Sequence, residues 1–271
     1  MIKLVFVNES CQNSTFFKKV SENSTLSEYI NKPRSKKVKK ERALAYGALS
    51  HLLSRFYKIE NFSLDFSEKP KLSGPENAPA FNISHTEGAV VVAITDEYGS
   101  VGVDIEGVMS KERADKISRR FLDKTGVICD TSPALFDKIE LFNLYCSADE
   151  LILEEVKNIK GANSDAESGK IRLLSKNEKK STLSNFHSGD ASADIAELKN
   201  RDKGLITQNP HLATERYTLL EAALKCDGGG FGSFERYSQI ISECESVSFW
   251  ASAFGIEYAI SLCLKDEKSI I

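Results

Sequence analysis

A long polar stretch is the feature of this sequence that most limits how the chain can fold. Residues 157–212 are rich in Ser, Asn, Lys and Asp, and Phe186 is their only aromatic residue. Such a segment buries too little apolar surface to offset the conformational entropy lost on ordering, so we predict a mobile insertion there. The core must then be built from the two flanking segments, 1–156 and 213–271.

The periodicity of these two segments predicts a mixture of helices and strands. Apolar residues recur at helical spacing over 42–57 and 214–225, and a shorter charged helix is predicted at 111–122. Strands are predicted at 2–7, 80–84, 89–95, 100–106, 247–251 and 258–264.

The order of these elements indicates an α+β fold in which one unit is used twice. We expect two similar lobes related by a pseudo-twofold axis, each a small antiparallel sheet packed against helices. The boundaries predicted are 1–99 for the N-terminal lobe and 100–271 for the C-terminal lobe, with the insertion 157–212 in the second.

Composition excludes several classes of protein. The 36 basic and 39 acidic residues give a net charge of −3 and a pI of about 5.9, which argues against a dedicated nucleic-acid binder. The apolar runs are shorter than the roughly 18 residues of a membrane helix, and the N-terminal one is too brief for a secretory signal. Six singly placed cysteines indicate reduced thiols rather than a zinc site. We expect a cytoplasmic protein without nucleic-acid or membrane partners.

The most informative short segment is Val-Gly-Val-Asp-Ile-Glu at 101–106. Side chains alternate faces along a strand, so the three β-branched residues would enter the core while Gly102, Asp104 and Glu106 share the other face. Two neighbouring carboxylates repel each other, a divalent cation would relieve that repulsion, and Gly102 would leave room for a ligand. The alternative is an ordinary half-exposed strand with acidic residues facing water.

Two further groups of polar residues could complete such a site. Glu221 and Lys225 are four residues apart on the predicted helix and share a face. Glu221 could bind a metal ion and Lys225 a phosphate, or the two could form a common surface salt bridge. Ser84 and His85 lie between two predicted strands, and with Lys69 they offer donors for phosphates. A histidine at such a position is equally typical of a local hydrogen bond.

Taken together in this order, three motifs resemble the 4′-phosphopantetheinyl transferases of the surfactin-synthetase-activating (Sfp) and enterobactin-synthetase type. They are Phe-Asn-Ile-Ser-His at 81–85, Gly-Val-Asp-Ile-Glu at 102–106 and Glu-Ala-Ala-Leu-Lys at 221–225. The resemblance covers roughly 30–126 and 214–264.

This resemblance implies an enzyme with holo-acyl-carrier-protein synthase activity. Such a transferase moves the 4′-phosphopantetheine arm of coenzyme A to a serine of an apo acyl or peptidyl carrier protein and releases adenosine 3′,5′-bisphosphate. The resemblance also implies a monomer whose two lobes form a pseudo-dimer, with coenzyme A in the cleft between them.

The same resemblance assigns the metal and catalytic roles. Asp104, Glu106 and Glu221 match the Mg²⁺ ligands of the family. Glu221, or a metal-bound water beside it, is the expected acceptor of the serine proton, and Lys225 is expected to stabilise charge on the leaving bisphosphate.

The remaining matched residues are expected contacts of coenzyme A. His85 matches the residue at the 3′-phosphate, and Ser84 a neighbouring contact. Lys69 and Lys225 match phosphate-binding lysines, and Arg42 matches an arginine near the adenosine phosphates.

Three residues depart from the family pattern. Leu220 stands where the family usually has a lysine, Tyr217 where it has tryptophan, and Thr86 where it has serine. We expect a slower or more selective enzyme, in which a lysine restored at position 220 raises the transfer rate. The alternative is a non-catalytic relative that binds coenzyme A or a carrier protein and regulates an assembly line.

Basic residues are concentrated in two places. The run 32–42 suits a solvated face, a nucleic-acid patch, or a surface that meets coenzyme phosphates at Arg42 and an acidic carrier protein elsewhere. The insertion 157–212 carries ten basic and seven acidic residues, and we expect it to lie beside the carrier-binding edge.

Overall fold

The structure, a computed structural model, describes residues 1–8, 11, 17, 20, 24–33, 35–60, 62–66, 69–73, 78–122, 133–147, 150–156, 172–173, 209–253 and 255–266. The strands are β1 (Ile2–Asn8), β2 (Ser63–Asp65), β3 (Lys71–Ser73), β4 (Ala80–Thr86), β5 (Ala89–Thr95), β6 (Ser100–Gly107), β7 (Ile139–Ser147), β8 (Glu150–Glu155), β9 (Arg172–Leu173), β10 (Glu245–Ala253) and β11 (Ile256–Lys265). The helices are α1 (Ser24–Asn31), α2 (Lys36–Tyr57), α3 (Lys111–Ile117), α4 (Pro133–Phe136), α5 (Pro210–Asp227) and α6 (Tyr237–Ser242), with a π-helical turn at Ser118–Leu122 and a 3₁₀ segment at Gly230–Arg236.

Helices and sheets are combined as an α+β fold, as the sequence predicts. One sheet has the strand order β4-β5-β1-β7-β8, the other has the order β6-β11-β10-β9, and β2 and β3 form a separate pair. The prediction of purely antiparallel sheets is wrong at one place, because β1 and β7 are parallel neighbours.

The two larger sheets pack face to face and each is covered by a long helix on its outer side. Residues that alternate along β1 show this, since Leu4 and Phe6 lie between the sheets while Val5 and Val7 pack towards α2. The outer face of the four-stranded sheet is covered by α5. The resulting order of layers is α2, five-stranded sheet, four-stranded sheet and α5.

Helix α5 begins and ends where its sequence provides caps. The side chain of Asn209 accepts hydrogen bonds from the backbone N–H groups of His211 (3.0 Å) and Leu212 (3.3 Å), and Pro210 occupies the first turn. Gly228 ends the helix in a left-handed conformation with φ of 88°. The helix therefore starts four residues before the predicted 214.

Gly102 allows α5 to approach β6 closely. A Cβ atom built at Gly102 would lie 2.0 Å from the carbonyl oxygen of Ala222 and 2.5 Å from the backbone nitrogen of Cys226. The space that we expected to admit a ligand is therefore filled by helix backbone. A buried hydrogen bond also joins α5 to this sheet. Thr218 on α5 and Ser261 on β11 are fully buried, and their hydroxyl oxygens are 2.8 Å apart.

Strands β7 and β8 belong to the same five-stranded sheet as β1, although they lie after the predicted lobe boundary at residue 99. Strand β7 lies beside β1 with Leu141 opposite Leu4, and β8 completes that edge. The predicted boundary between residues 99 and 100 therefore does not separate the two sheets.

The predicted mobile insertion lies outside the described residues except at its two pieces 172–173 and 209–212. The first piece is β9, which pairs with β10 at the edge of the second sheet. The second piece begins α5. Within the described part of the chain, no helix has the length and apolar character to cross a membrane.

Candidate functional site

The candidate site lies where the edges of the two sheets meet. Polar side chains on one face of β4 reach β6 at three successive positions. The contacts are Val103 N to Asn82 Oδ1 (3.0 Å), Ser84 Oγ to Asp104 Oδ1 (2.7 Å) and Thr86 Oγ1 to Glu106 Oε1 (3.4 Å). This seam brings the motifs 81–85 and 102–106 together.

Lys225 connects the third motif to this seam. Its ammonium group donates hydrogen bonds to Asp104 Oδ1 at 2.6 Å and to Ser84 Oγ at 3.0 Å. The same ammonium lies 3.7 Å from Glu221 Oε2, one helical turn earlier on α5. Side chains from β4, β6 and α5 therefore meet around one cation.

Asp104 is the most buried charged group of the site, with 5% of its side chain exposed. Burial raises the pKa of its carboxyl to about 7, and the nearby Glu221 carboxylate adds to the rise. The Lys225 ammonium and the hydrogen bond from Ser84 oppose it. A carboxylate placed here depends on its cation, because water does not solvate it.

Glu106 and Glu221 have partners of their own. Arg113, on α3, donates two hydrogen bonds to Glu106, at 2.7 Å and 3.0 Å. Burial, followed by the interaction with the Glu221 carboxylate, raises the pKa of the Tyr217 hydroxyl well above its usual range. The tyrosine that stands in place of tryptophan therefore places a hydroxyl under the influence of Glu221.

The expected metal ligands have suitable chemistry but are not arranged as a metal site. Carboxylate oxygens are ligands that Mg²⁺ prefers, and Asp104, Glu106 and Glu221 face the same seam. In this arrangement Lys225 neutralises Asp104 and Arg113 neutralises Glu106, so these two cations supply the positive charge that a metal ion would bring. Across the described residues, no group of three or more His, Cys, Asp or Glu side chains could hold a metal ion.

Ser84 and His85 lie on opposite faces of β4. Strand alternation directs Ser84 to Asp104, whereas the His85 ring lies 3.6 Å from Glu41 on α2 and is 55% exposed. Lys37 lies one turn before Glu41, with its amine 3.9 Å from that carboxylate. A ligand touching both predicted residues must therefore extend around the edge of β4.

The other two predicted phosphate contacts form hydrogen bonds with residues other than Lys225, Asp104 and Ser84. The Arg42 guanidinium donates to the carbonyl of Tyr29 at 2.8 Å and lies over the Tyr29 ring, holding α1 against α2. The Lys69 amine donates to Ser100 Oγ at 3.0 Å and to the carbonyl of Val101. Burial lowers the pKa of Lys69 to about 8.

Leu220 is buried in the apolar cluster between α5, α3 and α6, with 1% of its surface exposed. This placement argues against the expectation that a lysine at position 220 raises the rate, which stays a prediction. We predict that Leu220→Lys lowers the free energy of unfolding by at least about 2 kcal/mol, because an ammonium group would be buried there without a partner. Urea denaturation followed by circular dichroism measures the change.

The isosteric substitution Leu220→Met is the matched control and should change the free energy of unfolding by less than about 1.5 kcal/mol. A Leu220→Lys variant with native stability and faster transfer would restore the original expectation.

Two residues of the site are absent from the sequence prediction in the roles that the structure gives them. Arg113 is seven residues from Glu106, with β6 ending and α3 beginning between them, so no strand or helix period joins the pair. Tyr217 enters the sequence analysis only as a substitute for tryptophan, although its spacing of four from Glu221 on one helix is a usable signal.

In comparisons with known proteins, neither a protein-family model nor a curated protein matches this chain. The structure itself defines an α+β protein with alternating carboxylate and cationic side chains at the seam of two sheets.

Proposed function

We propose that this chain is a cytoplasmic 4′-phosphopantetheinyl transferase that takes coenzyme A as donor and a serine of an apo acyl or peptidyl carrier protein as acceptor. The observation that carries the proposal is the pair of hydrogen bonds from Lys225 to Ser84 and Asp104. These bonds unite the three motifs of the family pattern, since Lys225 is 121 residues from Asp104 and 141 residues from Ser84 along the chain.

The proposal includes two lobes related by a pseudo-twofold axis within one monomer. Its support is the outer covering of each sheet by one long helix, α2 on the first and α5 on the second. The seam between β4 and β6 then corresponds to the cleft that receives coenzyme A.

The reaction is a displacement at the pantetheine-side phosphorus of the coenzyme A diphosphate. The serine hydroxyl oxygen forms the new P–O bond, the bond to the bridging oxygen breaks, and adenosine 3′,5′-bisphosphate leaves with the electron pair. Glu221 accepts the serine proton, since its carboxylate lies at the seam beside Lys225. Lys225 neutralises charge on the departing phosphate.

Mg²⁺ is proposed as the cofactor, with Asp104, Glu106 and Glu221 as its ligands. It would neutralise charge on the phosphates. Because Lys225 and Arg113 now hold two of these carboxylates, the cations must give them up before a metal ion can bind.

The test is incubation of the pure protein with coenzyme A, Mg²⁺ and several apo carrier proteins. A mass gain of one phosphopantetheine on a carrier is the expected result. Glu221→Gln should lower the rate at least about 100-fold, because the proton acceptor is lost.

Glu112→Gln is the matched control, since Glu112 also pairs with a lysine four residues later but on the exposed surface of α3. It should transfer at the wild-type rate. A protein that binds coenzyme A but modifies no carrier would instead be the non-catalytic relative.

A further inference from the structure

Arg113 and Glu106 form a two-pronged ion pair at the open side of the seam. The guanidinium nitrogens Nη1 and Nη2 lie 2.7 Å and 3.0 Å from the two carboxylate oxygens. The arginine side chain is 48% exposed, whereas the Glu106 side chain is 17% exposed. The cation therefore reaches solvent while the carboxylate faces the site.

The same fork of donors binds phosphate as well as carboxylate. Guanidinium groups form paired hydrogen bonds with either anion, and water solvates the half-exposed Arg113 when it leaves Glu106, a carboxylate that is itself only partly exposed. A phosphate that enters the seam can therefore replace Glu106 on Arg113, and the main cost is the freed, partly buried Glu106 carboxylate, which a divalent cation would neutralise.

Lys225 differs from Arg113 in this respect. Its partner Asp104 is almost fully buried, and Lys225 also bonds to Ser84 and to the carbonyl of Val103. Separating that pair would leave a buried carboxylate without a cation, which is strongly unfavourable. Of the two cations paired with the predicted metal ligands, Arg113 is thus the one that can exchange first.

We propose that Arg113 is a diphosphate-binding residue that also controls access to Glu106. The guanidinium pairs with Glu106 in the free protein and with a phosphate of the ligand when a diphosphate binds, which leaves Glu106 free to ligate a divalent cation. This inference rests on the proposed function and adds to it a residue outside the three motifs.

Such an exchange couples the two ligands. A divalent cation that binds alone must compete with Arg113 for Glu106, whereas one that binds after the diphosphate does not. The coupling is reciprocal, so each ligand must strengthen the binding of the other. Arg113→Gln removes the competitor and the phosphate contact together, and it should therefore shift the two affinities in opposite directions.

The experiment measures each ligand separately on the full-length protein. Calorimetry in EDTA should show about tenfold weaker binding of coenzyme A to Arg113→Gln, the size expected for one lost charge-assisted pair. Mn²⁺ binding to the ligand-free variant, followed by electron paramagnetic resonance, should become several-fold tighter. General damage to the site would weaken both ligands, so opposite signs distinguish the proposal from a structural role.

Two variants complete the test. Arg119→Gln is the matched control, because Arg119 is an exposed arginine just after α3 whose side chain, within the described part of the chain, bonds to the carbonyl of Asp115. It should leave both affinities unchanged. Arg113→Lys keeps the charge but not the fork, and it should recover part of the coenzyme A affinity.

Inorganic pyrophosphate provides a second arm in the calorimetry. An equal loss of affinity for pyrophosphate and coenzyme A assigns Arg113 to the diphosphate, whereas a loss for coenzyme A alone would overturn that assignment. Unchanged affinities in Arg113→Gln, in a protein that still modifies a carrier, would overturn this inference and leave the proposed function standing. A wild-type protein that binds neither compound would overturn both.

Discussion

Gly102→Ala will lower the free energy of unfolding by about 3 kcal/mol or more, because the new methyl group enters a space already filled by backbone. The Cβ would lie 2.0 Å from the Ala222 carbonyl oxygen and 2.5 Å from the Cys226 nitrogen, and neither atom can turn aside as a side chain would. The helix must move as a whole. Urea denaturation followed by circular dichroism gives the change in stability.

Activity in Gly102→Ala should fall with stability. Moving α5 outward moves Glu221 and Lys225 with it, and displacements of about 1 Å are enough to lower rates about 100-fold. The transfer rate should therefore be measured on the folded variant at low temperature.

The control for this prediction lies on the same strand. A Cβ at Gly107 would meet Ile256 at 3.8 Å, an ordinary van der Waals distance. Gly107→Ala should leave stability within about 0.5 kcal/mol of the wild type. A change in the free energy of unfolding as small as this in Gly102→Ala would show that α5 does not pack directly on Gly102.

Above neutral pH, Lys225→Met should destabilise the protein by about 3 kcal/mol, because the Asp104 carboxyl, whose pKa is about 7 even beside Lys225, is left buried without its cation. The variant keeps most of the side-chain volume, so the loss reports charge rather than packing. In the proposed reaction the same substitution also removes the cation that stabilises the leaving group, and transfer should drop by at least about 100-fold.

A second substitution separates the two causes of the Lys225→Met defect. The double variant Asp104→Asn with Lys225→Met removes the buried charge as well as its partner, and it should regain much of the stability but none of the activity. Single and double variants together give the coupling energy of the pair. A double variant no more stable than Lys225→Met would show that the defect does not come from an unpaired Asp104.

Lys116→Met is the matched control for Lys225→Met. Lys116 also pairs with a glutamate four residues earlier, but both side chains are exposed. Exposed pairs of this kind contribute about 0.5 kcal/mol or less to helix stability. The contrast between the two variants measures what burial adds to the same helical spacing.

Local pattern was sufficient for much of the second sheet and its helix. The alternation of 101–106 predicted both faces of β6, and Val101, Val103 and Ile105 lie in the core between the sheets. The spacing of Glu221 and Lys225 predicted one helical face, and their charged groups lie 3.7 Å apart. These features depend on the periods of the strand and the helix, which any sequence of that pattern must follow.

Local pattern was insufficient where two segments far apart in the sequence pack against each other. The return of β7 to a parallel position beside β1 depends on how the chain closes the first sheet, and no period encodes it. Similarly, the strand period separates Ser84 from His85, but only the packing of β4 between β6 and α2 shows what each residue meets.

The residue pattern alone predicts the α+β class from the order of helices and strands, and it predicts the two faces of β6 and the shared face of Glu221 and Lys225 from side-chain direction within one element. The tertiary structure decided that Gly102 receives a helix rather than a ligand, that Leu220 belongs to the core, and that Lys225 and Arg113 pair with the candidate metal ligands. Those outcomes depend on close contact between elements far apart in the chain, and on which charges burial forces to pair.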